Sequence, residues 1–193
     1  MKIKVPTLIT EYKLTEQKSK FIAHVYPFKD INKLSLILDR LKEKYKSAAH
    51  IPYAYRVTEI NGDRITSQER YSDGGEPTRT AGFPVLKLIH NNKLTNTLIV
   101  IVRIFGGVKL GTAGLMQAFT KSSKNALKKN EFSEEEVTET IKIWTSLSKY
   151  KDIEKELKKN RIKFKHEFDG DDVLIKAFAP IEDDDLKAKI RLL

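Results

Sequence analysis

The chain has 193 residues, of which 40% are hydrophobic and 32% charged, a composition typical of a globular protein. It contains no cysteine, which excludes disulfides, cysteine-ligated zinc, iron–sulfur clusters and a thiol nucleophile. The apolar run TLIVIV (97–102) is far shorter than a membrane span of about 20 residues, and the N-terminus lacks the pattern of a signal peptide. We therefore expect a cytoplasmic protein with no membrane partner.

The positive charge is concentrated in the first two thirds of the chain. Residues 1–130 carry 23 lysines and arginines against 10 acidic residues, whereas residues 131–193 carry 13 against 16. This asymmetry indicates two bodies, of which only the first would attract a polyanion. A lysine-rich genome composition would explain the same excess, so both interpretations stay open at this point.

The first predicted elements are a strand, a helix and a hairpin. In KFIAHVY (20–26), apolar side chains alternate on one face, which predicts a strand. Asp30 is placed to cap a helix whose apolar positions are Ile31, Leu34, Leu38, Leu41 and Tyr45. Residues 52–60 and 64–71 are predicted strands on either side of Asn61-Gly62, a dipeptide typical of tight hairpins.

The next stretch predicts a helix, a strand and a second helix. Pro84 suits the first turn of a short helix with Val85, Leu88 and Ile89 facing inward. TLIVIVRIF (97–105) predicts a buried strand, and residues 115–129 predict a helix after a glycine-rich loop. EFSEEE (131–136) has the composition of a charged linker. We therefore predict two domains, residues 1–132 and residues 133–193.

The second domain has the order of a ferredoxin-like fold. Residues 137–144 predict a strand and residues 146–160 an amphipathic helix. Two further strands flank Asp169-Gly170-Asp171, and the acidic run 183–185 favours the start of another helix. The order β-α-β-β-α predicts a ferredoxin-like domain, with its fourth strand missing where the chain stops. The fold class of the whole chain is then α+β.

Two glycine-rich loops are the candidate functional segments. RIFGGVKLGTAGL (103–115) joins the buried strand to a helix, so backbone amides could face an anion there with Arg103 and Lys109 beside it. Its glycine spacing matches neither the phosphate-loop pattern GxxxxGK(S/T) nor the dinucleotide-binding pattern GxGxxG. A tight turn with close packing is the simpler interpretation. In SDGGEPTRTAGFP (72–84), Asp73 and Glu76 could bind a hard metal or act as acid and base. We favour turn chemistry, with Glu76 paired to a nearby cation.

One histidine and several aromatic and cationic residues precede the first of these loops in the chain or begin the second. His50 could act as a ligand or base, although a lone histidine is more often a hydrogen-bonded structural residue. A stacking platform for RNA bases could be formed by Tyr53, Tyr55, Arg56, Arg103 and Phe105. The same residues are ordinary strand composition, so this assignment stays open.

Three segments together carry a resemblance to a known family. AHIPYAYR (49–56), SDGGEPTRTAGFPVLKLI (72–89) and TLIVIVRIFGGVKLGTAGLMQAF (97–119), preceded by KSKFIA (18–23), resemble the IMPACT/YigZ family over residues 12–128. The resemblance implies that the first domain has the α/β sandwich fold of the second domain of a small-subunit ribosomal protein. It also implies a ferredoxin-like second domain, as in bacterial members. Eukaryotic members restrain the kinase that senses amino-acid starvation, by competing for its ribosome-associated activator. Bacterial members have no settled activity, and nucleic-acid or ribosome binding is the usual inference for them.

The family's motif residues are transferred here by position, without established roles. They are His50, Tyr55, Arg56, Asp73, Gly75, Glu76, Pro77, Thr80, Gly82, Arg103, Phe105, Gly106, Gly107, Lys109, Gly111 and Gly114. The chain departs from the family pattern at several positions: Gly74 replaces a usual Asp, Arg79 a usual Gly, Phe83 a usual Lys, Ile104 a usual Tyr and Ala113 a usual Gly. The missing carboxylate weakens the case for metal catalysis, and Arg79 favours an anionic partner.

The sequence therefore favours a binding protein over an enzyme. The first hypothesis is a cytoplasmic factor that binds RNA or the ribosome and regulates translation. Arg56, Arg79, Arg103 and Lys109 would hold phosphates in it. The second is an enzyme or sensor that binds a small anionic or nucleotide ligand between the two loops. The third is an adaptor that binds only a protein of the translation machinery. We predict no metal and no cofactor, and the oligomeric state is left open.

Overall fold

A computed structural model describes residues 2–61 and 64–193 of the chain. Its strands and helices are, in chain order, β1 (Lys2–Pro6), β2 (Thr10–Glu16), β3 (Ser19–Pro27), α1 (Leu34–Lys44), β4 (Tyr53–Asn61), β5 (Arg64–Ser72), α2 (Gly82–Asn91), β6 (Thr97–Ile104), α3 (Gly111–Lys128), β7 (Phe132–Glu136), β8 (Thr138–Ser146), α4 (Leu147–Lys159), β9 (Lys163–Asp169), β10 (Asp172–Pro180) and α5 (Asp184–Arg191). A short 3-10 turn, Ile31–Lys33, leads into α1, and Asp30 caps it as predicted by accepting a hydrogen bond from the amide of Asn32.

The chain divides into two compact units. Residues 3–59 and 66–135 form the first, and the second is built on residues 136–193 together with residues 2, 60–61 and 64–65. Each unit mixes helices with strands, so the predicted α+β class with two domains is confirmed. The predicted domain limits, 1–132 and 133–193, remain a proposal, which the pairing of β7 described below moves toward residue 136.

The first unit is built on a sheet with the strand order β2-β3-β6-β4-β5. β3 lies antiparallel to β2 and to β6, and β6 lies antiparallel to β4. In this register Ala23 is opposite Tyr12 on one side and Ile101 on the other. β6 is the central strand, and all its residues except Ile104 are buried. The prediction of a buried strand is confirmed, and helices on both faces of the sheet bury it.

Helices cover both faces of this sheet. On one face Phe21 and Ile101 pack against α2 and α3, and the rings of Phe21 and Phe119 meet edge to face with their centroids 5.0 Å apart. On the other face Val100 and Val102 belong to a cluster with α1. Burial of each such side chain contributes about 1.5–3 kcal/mol. The two layers therefore hold the sheet as a firm base for the loops at its ends.

Several features of this unit differ from the prediction. Residues 131–136 are not a linker, because Phe132–Glu136 form β7 and pair with β1 in a two-stranded sheet. Neither β1 nor β2 was predicted, and α3 begins at Gly111 rather than at residue 115. Pairing between segments about 130 residues apart is a tertiary effect that local propensity does not report. β4 and β5 are neighbours as predicted, but the hairpin dipeptide Asn61-Gly62 extends outside the described residues.

The second unit contains a sheet in the order β8-β10-β9, with β10 antiparallel to both neighbours. α4 and α5 pack on one of its faces, where Ile153 and Ile190 cluster with Ile141 and Ile175. β8, α4 and β9 thus form a β-α-β unit split by β10, as in a ferredoxin-like fold. Asp183 caps α5 by accepting a hydrogen bond from the amide of Leu186 at 2.9 Å. None of the described helices is long and apolar enough to cross a membrane.

Candidate functional site

A buried carboxylate stands at the centre of the candidate site. The side chain of Glu76 is 1% exposed, and Arg103 donates from Nη1 to both of its oxygens, at 2.7 and 2.8 Å. His50 Nδ1 lies 2.6 Å from Glu76 Oε1. The Arg103 side chain is 8% exposed and that of His50 32%. Because a buried charge is costly without a partner, these residues form one compensated cluster.

Backbone contacts hold the three side chains together. The amide of Arg103, near the end of β6, donates to the carbonyl of His50 at 2.9 Å, and the amide of Ala49 donates to the carbonyl of Arg103 at 2.9 Å. Gly75 lies against the imidazole, and a Cβ at this position would stand 2.8 Å from His50 Cδ2. Its φ of +95° also lies in the left-handed region. Glycine next to Glu76 is therefore what lets the histidine approach.

Asp73 organises the loop that carries Glu76. Its carboxylate accepts hydrogen bonds from three backbone amides, those of Arg79 at 2.7 Å, Ala81 at 3.1 Å and Gly82 at 2.9 Å. Thr80 donates from Oγ1 to the carbonyl of Pro77 at 2.7 Å. This is the turn chemistry that the sequence favoured over an acid–base or metal role for the two carboxylates.

A pocket of about 440 Å³ opens beside the cluster. The cluster forms its polar wall, and the apolar wall comes from Pro77, Phe105, Leu110 and Leu115. Ala49, Lys109, Gly111 and Thr112 complete the lining. A volume of this size lies within the range of small-molecule sites, roughly 300–1,000 Å³. The arrangement can therefore hold a ligand with an apolar body and one or two polar groups.

The start of α3 contributes to this pocket through Gly111 and Thr112. Leu110, the N-cap residue, offers no side-chain hydrogen bond to the helix, and the first turn contains no acidic residue. The amides of the first turn and the positive end of the helix dipole favour an anionic group here. The exposed side chain of Lys109 adds to this preference.

The outward face of α3 is basic. Lys121, Lys124 and Lys128 are exposed at spacings of three and four residues, which place them on one side of the helix. Lys121 Nζ lies 4.0 Å from a carboxylate oxygen of Glu16. α3 itself contains no aspartate or glutamate. Sequence reasoning overlooked this basic face because it considered only the cations beside the glycine-rich loops.

The structure brings some of the predicted site residues together around the pocket. The predicted residues that line the pocket are His50, Glu76, Arg103, Lys109 and Gly111. Asp73, Arg79, Thr80 and Gly82 belong to the loop that positions Glu76. Arg79 is exposed, and its guanidinium carbon lies 4.0 Å from the ring centroid of Phe83.

Tyr55 and Arg56 lie on β4, away from the pocket lining. Tyr55 is 4% exposed and packs in the layer beneath α1, with its ring centroid 5.5 Å from that of Phe28. Because α1 covers that face of the sheet, Tyr55 offers no exposed ring for stacking RNA bases, which was one of the two interpretations that the sequence left open. Arg56 donates to Ser67 Oγ at 3.5 Å, and its Nε lies 3.9 Å from Glu69 Oε2.

The remaining predicted glycines allow close packing rather than forming one binding surface. A Cβ on Gly106 would lie 2.1 Å from the carbonyl carbon of Lys18, and one on Gly82 would lie 2.4 Å from the carbonyl oxygen of Ser72. Gly114 faces the side chain of Leu110. Gly107 meets no atom within 4 Å but has a φ of +86°, so it serves the turn itself.

The pocket also contains residues that sequence reasoning did not propose as ligands. Ala49, Leu110, Thr112 and Leu115 reach it from a loop and from the start of α3. In the sequence, only their positions next to predicted site residues indicated that they could line the pocket. Within residues 2–61 and 64–193 no group of three or more histidines and acids is close enough to hold a metal ion.

Several known proteins are similar in sequence to the first unit of this chain. Residues 17–127, more than half of the chain, match the model of the Impact N-terminal domain. The IMPACT family member YvyE of Bacillus subtilis is 33% identical over 117 residues, which cover 61% of this chain and 52% of that protein. The IMPACT homolog of Dictyostelium discoideum is 38% identical over 109 residues, which cover 55% of this chain and 30% of that protein. The match thus spans about half the length of the bacterial relative and less of the eukaryotic one.

Solved structures extend the likeness to the whole fold. A crystal structure described as that of a hypothetical protein superimposes with a TM-score of 0.74 at 22% identity, covering 98% of this chain and 91% of that chain. At this identity the likeness shows the fold alone. The two-domain translational regulator Yih1 superimposes with a TM-score of 0.43 at 23% identity, covering 63% of this chain, which is too low to support an argument about function.

Proposed function

Because this chain belongs to the family defined by the Impact N-terminal domain, we propose that it is a non-enzymatic factor whose first unit binds RNA, free or within the ribosome, and so regulates translation. Such a factor would work in the cytoplasm. The charge of the chain supports this proposal, since residues 1–130 carry 23 basic residues against 10 acidic ones. Neutralising phosphates with lysine and arginine is the main source of affinity for nucleic acids.

The exposed lysines of α3 are the observation on which the proposal rests. Lys121, Lys124 and Lys128 lie along one side of a helix that has no carboxylate of its own. Lys109 is also exposed, just before the start of α3. We assign phosphate contacts to this face and not to Arg103, whose charge is already compensated by Glu76.

The experiment removes the basic face while keeping the helix. The variant carries Lys121→Gln, Lys124→Gln and Lys128→Gln, and its affinity for a labelled single-stranded RNA is measured by fluorescence anisotropy over a series of salt concentrations. Loss of up to three phosphate contacts should weaken binding and flatten the plot of log affinity against log salt by about 2.

A matched control carries the same charge change on the second unit. Lys149, Lys151 and Lys155 are exposed on α4, and their replacement by glutamine should leave the salt dependence nearly unchanged. Equal losses in both variants would mean that net charge alone governs binding. Affinity that does not respond to salt in the unaltered chain would contradict the proposal.

The pocket supports a second candidate function, a sensor for a small anionic ligand. A space of about 440 Å³ with an apolar wall, Lys109 and the start of α3 suits a phosphorylated molecule of nucleotide size. A thermal-shift screen of nucleotides and sugar phosphates tests this, because a ligand that binds only the folded state raises Tm. A rise in Tm that Lys109→Gln abolishes would support the sensor, and a screen with no rise would reject it.

A further inference from the structure

Among the described residues, α4 and α5 pack on only one face of the second unit's sheet. α4 and α5 cover the side on which Ile141, Ile175 and Ala177 point. In antiparallel strands, residues that lie directly opposite one another share a face. Residues of the three strands that alternate with these buried ones therefore lie on the opposite face of the sheet. The pairing of β10 with β8 and β9 identifies them, and most are exposed or half-buried.

The open face consists of aromatic and cationic side chains arranged in rows. The first row is Trp144, Leu174 and Glu167; the second is Lys142, Lys176 and Lys165; the third is Thr140, Phe178 and Lys163. Trp144 is 64% exposed and Phe178 is half-buried. Successive rows stand about 7 Å apart, because two residues of a strand advance by that distance.

The charge of this face is opposite to that of its unit. Four lysines and one glutamate occupy the three rows, whereas residues 131–193 carry 13 basic residues against 16 acidic ones. Lys176 Nζ lies 2.6 Å from Glu167 Oε1, and this hydrogen bond together with the charges of Lys176 and Lys142 lowers the pKa of Glu167. Asp169 and Asp172 lie opposite each other at the hairpin end, beyond Trp144. The positive charge is therefore centred between Trp144 and Phe178.

We propose that this open face is a second RNA-binding surface, specific for single strands. The bases stack on Trp144 and Phe178, and the phosphates contact Lys142, Lys165 and the neighbouring lysines. A sheet that presents aromatic rings to unpaired bases is an established way of reading single-stranded RNA, and such stacking tolerates any sequence. The row of lysines complements the negative charge of a polyanion, and the exposed aromatic rings beside it can stack on its bases. This surface belongs to the second unit and α3 to the first. Binding at either surface can therefore be present when binding at the other is absent.

Trp144 provides a direct readout, because it is the only tryptophan of the chain. Titration of the full chain with a short single-stranded RNA should quench the tryptophan emission to saturation, and a double-stranded RNA of the same length should not. Trp144→Ala should lower the affinity about fivefold or more, as expected for one lost base stack. Trp144→Phe should retain most of the affinity, since a ring remains.

Phe168→Ala is the matched control, because Phe168 is a similarly exposed aromatic residue, 56% against 64% for Trp144, on the other side of β9, beside Tyr150. It should bind RNA as the unaltered chain does. Lys142→Gln with Lys165→Gln should weaken binding and its salt dependence, whereas the triple glutamine variant of α3 should still show the quenching. Absence of quenching, equal quenching by duplex RNA, or equal losses in Trp144→Ala and Phe168→Ala would each overturn the proposal.

Discussion

His24 is a buried histidine on β3 that is neutral in the folded protein. It is 4% exposed, and its Nδ1 lies 3.5 Å from Glu11 Oε2. Its Nε2 meets no hydrogen-bond partner among the described residues. Burial lowers the pKa of His24 from its ordinary 6.5 to about 4, with the carboxylate of Glu11 opposing this shift and the ammonium group of Lys44 adding to it.

The free energy of unfolding should therefore fall as the pH is lowered from 6.5 toward 4. Within this window the unfolded chain takes up a proton on His24 that the folded chain does not. The stability lost through this group amounts to about 3 kcal/mol, and above pH 6.5 the group contributes no slope. Urea unfolding at a series of pH values across the window measures the effect.

His24→Phe is the control for this prediction. Phenylalanine does not titrate, and the neighbouring rings of Tyr26 and Tyr45 already form an aromatic environment there. The stability of the variant should decline less steeply with acid than that of the unaltered chain. Parallel curves would show that carboxylates, rather than His24, cause the acid sensitivity.

The cluster at Glu76 shows what single residues reveal before a structure is known. The sequence indicated that Glu76 would pair with a cation, and it does. The sequence also suggested that Arg103 would hold phosphate, but Arg103 points at Glu76. The two residues are 27 positions apart. No local pattern shows which distant partner a charged residue of β6 will meet, so the sequence named both residues but not the contact between them.

The loop between β6 and α3 combines two glycines that are needed for different reasons. Gly106 lies against the backbone of Lys18, and its amide donates to Ser19 Oγ at 3.1 Å. Gly107 has open space around it and a left-handed φ of +86°. The close-packing interpretation of this loop, which the sequence favoured over a phosphate loop, therefore holds for Gly106. Gly107 is constrained by its conformation alone.

Alanine substitution should separate these two requirements. Gly106→Ala places a Cβ 2.1 Å from a backbone carbonyl carbon, so the loop or the start of β3 must move, at a cost of about 3 kcal/mol or more. Gly107→Ala meets only backbone strain, about 1–2 kcal/mol. Urea unfolding midpoints of the two variants measure the difference. Equal losses would mean that the contact with Lys18 relaxes easily.

Apolar periodicity explains which helices and strands were predicted from the sequence and which were missed. The helices and central strands, which carry strong apolar periodicity, were predicted close to their observed bounds. β2 was missed, with charged residues at its exposed positions Glu11 and Lys13. β1 and β7 were also missed, since each of these two is short and mixes charged with apolar residues. Each is held as a strand by the other, and such mutual support is not written in either segment alone.

Over the whole molecule, the pairing of β7 with β1 bears on where the first domain ends. The predicted first domain ends at residue 132, but β7 continues to Glu136 and pairs with β1. Asn130, just before β7, joins the same region by donating from Nδ2 to the carbonyl of Leu8 at 2.7 Å. Residues 131–135 of the acidic segment therefore belong structurally with the basic unit, although the composition of the segment is that of a linker.

Two fragments test where the first unit ends. A fragment of residues 1–136 keeps β7 and should unfold cooperatively in urea. A fragment of residues 1–131 loses the partner of β1, including Phe132, whose ring lies 4.8 Å from Lys4 Nζ. We expect it to be less stable by roughly 2–4 kcal/mol, from lost strand hydrogen bonds and apolar burial. Extension of the longer fragment to residue 140 serves as the control and should add little, because Thr138–Ser146 pair within the second unit. Equal stability of the two shorter fragments would place the boundary before β7, as the sequence composition suggested.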